Sequence, residues 1–145
     1  MGRRNERGSA LLLVPAGIII VMALGAMTVN AALSYMAERS AARLASEVAN
    51  DLATLGLDDE HFRSTGEYQL VPDISTLAND RVAVAVTSAG GAFVPGTLQI
   101  SVRRLGADEI EVRVTADVEL LLHTPGGPTT RQVSAVAIGT ASPGN

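Results

Sequence analysis

The sequence predicts an α+β protein in which a long N-terminal transmembrane and stalk helix carries a small head, the head holding a three- or four-stranded antiparallel sheet and one or two short helices. Three features carry that reading. Residues 8–37 form a run of thirty without a charged side chain. Residues 26–55 contain neither Gly nor Pro and place apolar side chains every three or four positions. From Leu98 onward, apolar and polar side chains alternate with a period of two, as in strands with one dry and one wet face.

A hydrocarbon slab of about 30 Å needs roughly 20 helical residues, so the uncharged run spans a bilayer with residues to spare. Residues 1–9 form a basic tail, with Arg3, Arg4 and Arg7 against Glu6 alone, and residues 10–32 are read as the transmembrane helix. From Glu38 onward there are eight Arg against fourteen Asp and Glu. Positive charge favours the cytoplasmic side, which predicts a single-pass cell-membrane protein, N-terminus cytoplasmic and head extracellular. A cleaved signal is the alternative, releasing a β-rich binding module. Signal apolar regions run to about 15 residues, half of what stands here, and Val29-Asn30-Ala31 is a weak cleavage match. A retained anchor is preferred. Within it, Pro15, Gly17 and Gly25 are the candidate helix-packing residues, although the two glycines lie eight apart and make no G-x-x-x-G pair. Asn30 is expected at the outer interface.

The stalk, residues 33–56, continues the helix. Leu33, Ala37, Ala41, Leu44, Val48, Leu52 and Leu55 form one stripe, Arg43 and Glu47 make an i,i+4 pair off it, and Gly56 is the stop signal. The stripe suits either the chain's own head or helices of other subunits. Residues 57–96 read as a helix and loop region. A short capped helix follows Leu57 and ends at Gly66; an extended piece holds Tyr68 to Val71; residues 74–88 read as a helix capped by Asp73, with a strand through Val82, Val84 and Val86 as the competing reading.

Residues 97–141 read as the antiparallel β region, ahead of a tail at 142–145. Leu98, Ile100 and Val102 precede a turn at Gly106, Ala107 and Asp108; Ile110 to Leu122 then alternate at even positions. Two even-numbered apolar sets share a face only across an odd loop. A three-residue loop pairs Val102 with Val112, Ile100 with Val114, and Arg103 with Glu111, the last an opposite-charge pair. A further strand over Thr130–Thr140 returns after a Pro-Gly-rich loop.

Composition narrows function by exclusion. Cys is absent, which removes thiol catalysis, cysteine metal sites and disulfides. An acidic head argues against nucleic acid, whose affinity rests on cationic contacts to phosphate. His61 follows Asp58, Asp59 and Glu60, but neighbours on a helical turn diverge, and the acidic trio suits a helix start. His123 reads as an exposed strand-end residue. No G-x-S-x-G, S-x-x-K or phosphate-loop pattern occurs. The expectation is no enzyme, no cofactor, no metal and no small-molecule substrate.

Arg7-Gly8-Ser9-Ala10-Leu11-Leu12-Leu13-Val14-Pro15-Ala16-Gly17, then Leu24-Gly25-Ala26 running into Ala31-Ala32, give the anchor its character. With the Ala-rich stretch over 39–53, its Asn50-Asp51-Leu52-Ala53, and Gly66-Glu67-Tyr68, they resemble the TadE/TadG-like proteins of Tad (Flp-type) pilus systems, actinobacterial type. The resemblance covers about the first ninety residues loosely and the β end by pattern. It implies a pseudopilin-like membrane protein supporting assembly of a pilus or related secretion apparatus. The implied partners are the membrane and other pilus or pseudopilin subunits or the assembly platform, with homo- or hetero-oligomers forming through the N-terminal helix. Prepilin-like processing would fall at Gly8-Ser9; the fifth residue after that cut, Glu in prepilins, is Leu13 here.

Overall fold

A computed structural model describes residues 7–122 and 126–141. The sequence readings for Arg3, Arg4, His123 and the 142–145 tail lie outside the described residues. The architecture is α+β. One helix, α1 (Arg7–Leu55), runs unbroken through Pro15. Two shorter helices follow, α2 (Asp59–Thr65) and α3 (Ile74–Ser88), then a 3₁₀ turn at Gly90–Ala92. A three-stranded antiparallel sheet closes the head: β1 (Gln99–Arg104), β2 (Glu109–Glu119) and β3 (Thr130–Thr140), in the order β1-β2-β3.

The pairing is the one the alternation demands. Val102 faces Val112, Ile100 faces Val114 and Arg103 faces Glu111. The backbone N–H of Leu105 donates to Glu109 O at 2.9 Å, closing the three-residue loop Gly106-Ala107-Asp108. β2 is the middle strand, and Ile110, Val112 and Val114 on its inner face are fully buried. Burying each such side chain contributes about 1.5–3 kcal/mol. In β3 the inner face falls on odd positions, Val133, Ala135, Ala137 and Gly139.

The second half of α1 lies across β3 and β2, while α3 covers β1 and leans on α1. Eleven residues of strand and twenty-two of helix both span about 33 Å, so β2 matches α1 from about Asn30 to Leu52. Three contacts set this register along the helix. Asn30 meets Leu122, Glu38 meets Arg131 at 3.7 Å, and Gly139 lies against the backbone of Ala49.

α1 ends at Leu55, where Gly56 comes too close to its neighbours to carry a side chain. A Cβ there would lie 2.6 Å from the Leu52 carbonyl oxygen and 2.7 Å from Ile74 Cδ1. Gly56 is therefore demanded by packing and not by a left-handed turn. Gly66, at φ 78°, is the left-handed residue that ends α2. Asp58 caps that helix by accepting from the His61 N–H at 2.9 Å. Phe62 stacks on Tyr68 with ring centroids 4.5 Å apart. Asp73 precedes α3 and accepts from the Ser75 and Thr76 hydroxyls, which hold its pKa below the ordinary carboxylate value. That contribution is present above the unfolded pKa and is lost as the pH falls through the lowered one.

Arg104 breaks the apolar pattern on the inner face of β1. Its guanidinium donates to the carbonyls of Gly106 (2.8 Å), Leu70 (3.0 Å), Ala107 (2.8 Å) and Val71 (3.4 Å). It thereby ties the β1–β2 turn to the segment that returns from α2. Arg104→Ala is expected to destabilise the head by about 2 kcal/mol, since it removes charge-assisted bonds from half-buried carbonyls. Arg104→Lys recovers little, because an ammonium cannot reproduce the planar fork. Thermal unfolding of the full chain in detergent measures both.

Candidate functional site

The surface that marks this chain is the first half of α1. Leu13, Ile18, Ile19, Ile20, Met22 and Met27 are each more than half exposed. The most apolar stretch of the helix has a mean hydropathy of 2.1, and none of it is buried in the protein. Among the described residues, this one helix is long and apolar enough to cross a membrane.

The sequence-predicted positions divide along the helix. Gly8 and Ser9 fall in its first turn. Pro15, Gly17 and Gly25 lie on the bare half, and nothing comes within 4 Å of a Cβ built at either glycine. On the second half, Leu44, Val48 and Leu52 are buried against the head and Leu33 is half-buried. Leu55 is a correction: it is 51% exposed. At about 100° per residue, the buried arc centres between Ala41 and Leu52. Leu55 falls inside that arc, at the same angle as the buried Ala37, and is exposed because it is the last residue of α1. Ala45, Ala49 and Ala53, absent from the predicted stripe, are buried on the other side of the arc.

Between the two halves stands Asn30. Its side-chain amide donates to the Leu122 carbonyl, and its amide oxygen accepts from the Leu122 N–H at 3.3 Å. A helix side chain thus completes the backbone pairing of the chain leaving β2. This is an intrachain role that the expected interface position of Asn30 did not include, and a contact across 92 residues leaves no local signal. One turn further, Ser34 is buried with no hydrogen-bond partner for its hydroxyl. Asn30→Ala is expected to cost about 1 kcal/mol and to speed exchange of the Leu122 amide hydrogen, read by hydrogen–deuterium exchange in detergent.

Beyond the basic tail, charge resumes only at Glu38, in the stalk and head. Arg43 donates to Glu47 at 2.8 Å, which raises the guanidinium pKa, and Arg81 approaches Asp51 at 3.9 Å. Exposed pairs of this kind contribute little. No group of three or more His, Asp or Glu that could hold a metal ion occurs among the described residues. The acidic trio near His61 is spent on helix ends: Asp58 is the cap, while Asp59 and Glu60 occupy the first turn of α2.

Fold and surface together define a small α+β head built on the second half of a single long helix, whose first half is apolar and bare. No family model, no curated protein and no solved structure matches the chain.

Proposed function

We propose that this chain is a membrane-anchored structural subunit, TadE/TadG-like and of actinobacterial type, that supports assembly of a Tad (Flp-type) pilus or a related secretion apparatus. Its role is packing, not catalysis. α1 is retained as a single-pass anchor with the N-terminus cytoplasmic and the head outside.

The observation that carries this reading is the division of labour along α1. The stalk stripe is consumed by the chain's own sheet, with Ala41, Ala45 and Leu52 wholly buried. Contacts with other subunits are therefore left to the bare half, where Gly17 and Gly25 offer a close approach to a neighbouring helix. Leu13, in place of the prepilin Glu, makes this a pseudopilin-like partner in assembly and not an ordinary pilin. The released-module reading is disfavoured by Asn30: cleavage at Val29-Asn30-Ala31 would remove the side chain that pairs Leu122.

Single-cysteine variants test the proposal, since the chain has no native Cys. In membranes of the source bacterium, Gly17→Cys or Gly25→Cys should crosslink to a second copy or to a pilus-system protein, while Leu44→Cys should not. Deletion of the gene should abolish surface pili, restored by the full chain. Normal piliation after deletion, with no crosslink from the anchor half, would rule out an assembly role.

A further inference from the structure

Where β2 ends, the head presents two adjacent leucines that no core contact explains: Leu121 is 66% exposed and Leu122 is 52% exposed. They stand beside Asn30, where the bare apolar half of α1 ends. Backbone that meets hydrocarbon must have its polar groups satisfied within the protein. At Leu122 both the N–H and the C=O are held by the Asn30 amide.

This end of the head is also poor in charge, Glu119 being the one charged residue in the groove beside Leu121. Residues 120–122 and 126–130 contain no Asp, Glu or Arg, and residues 90–102 contain none either. The second stretch reaches the same end, because Phe93 and Val94 line a shallow groove together with Leu33, Leu121 and Glu119. The opposite end of the head, by contrast, carries Asp58, Asp59, Glu60, Arg63 and Glu67. On other faces of α1, Tyr35 and Met36 are 65% and 66% exposed. They lie about 8–9 Å along the helix from Asn30, at the level where aromatic side chains favour the membrane–water interface.

We propose that Leu121 and Leu122 insert into the headgroup–acyl boundary of the bilayer that holds α1, so that the head is seated on the membrane instead of standing clear of it on the stalk. The inference rests on reading α1 as a retained anchor. The occupant of this apolar lip is lipid, because the lip is continuous with the membrane-crossing face and its depth is set by α1. With the outer hydrocarbon edge at Asn30, the inner edge falls about 20 residues earlier, near Ala10. The two leucines then lie at the shallow depth where amphipathic elements rest, about 5–10 Å into the boundary. Seating the head in this way fixes the rotation of the anchor and holds the charged end of the head outward.

The test uses the full chain in phosphatidylcholine vesicles, carrying one environment-sensitive fluorophore on a single cysteine. The positions are Leu121→Cys and Leu122→Cys, with Ile20→Cys as the mid-anchor reference and Val84→Cys, 61% exposed on α3, as the aqueous reference. Lipids spin-labelled either near the headgroup or near the acyl chain end supply the quencher. The expected result is blue-shifted emission at Leu121 and Leu122, quenched more by the shallow label than by the deep one. Ile20 should be quenched more by the deep label, and Val84 by neither. If Leu121 and Leu122 behave like Val84 while Ile20 is quenched, the seating is wrong and the anchor stands. If Ile20 is also unquenched, the anchor reading has failed and the seating falls with it.

Discussion

Gly139→Val should unfold the head or lower its Tm by more than about 10 °C, the largest effect expected of any single substitution here. The reason is the distance between β3 and α1. A Cβ at residue 139 would overlap the carbonyl oxygen of Ala49, lie 2.8 Å from that residue's carbonyl carbon and lie 3.1 Å from Ala53 Cβ. The first two obstacles are backbone and cannot rotate away. Overpacking a core commonly costs 1–3 kcal/mol, and about 3 kcal/mol or more is expected where only movement of a whole helix relieves the clash. The neighbouring change Ile138→Thr is the control. Ile138 faces outward and is 57% exposed, so its substitution should move stability by no more than about 0.5 kcal/mol. Thermal unfolding of the full chain in detergent separates the two. Equal melting of Gly139→Val and the parent would mean that strand and helix do not approach as described.

Leu52→Ala should cost about 2–5 kcal/mol, as expected for a fully buried leucine replaced without collapse of its surroundings. Leu52 has no exposed surface and packs in one cluster with Leu70, Ile74 and Ile110. Leu55→Ala, only three residues away, should cost no more than about 0.5 kcal/mol, because half of that side chain is already in solvent. The pair is informative because helical spacing alone gives both leucines the same role. Comparable losses at the two positions would mean that the head covers α1 to its last residue.

Much of the head was legible because strand alternation leaves few choices. Two even-numbered apolar sets and an odd loop determine the β1–β2 register, including Arg103 opposite Glu111. The strand over Thr130–Thr140 was readable as well, whereas the helix over 74–88 competed with a strand reading because Val82, Val84 and Val86 alternate with smaller residues. The stalk face was read only in part, because weighting large side chains selects Leu44, Val48 and Leu52 but passes over Ala45, Ala49 and Ala53. Those alanines are buried because β3 answers them with Ala135, Ala137 and Gly139. Small residues on both sides let a helix and a sheet approach closely, and they carry weak hydrophobic signal in either segment. Arg104 did leave a trace, an arginine at an inward position of a strand, although its four carbonyl partners come from segments that only the fold assembles. Asn30 left none. Whether the stripe served the chain's own head or other subunits was open from sequence; the head's own sheet occupies it.

What most directly tests the anchored head is the N-terminus and partition of the protein as it occurs in cells. Carbonate extraction followed by intact-mass analysis and N-terminal sequencing should find the chain in the membrane pellet, beginning at Ser9 or earlier, with the whole apolar half of α1 attached. A soluble chain beginning at Ala32 would contradict it, since that product has lost both the bare helix and Asn30, the residue that joins the helix to the chain leaving β2.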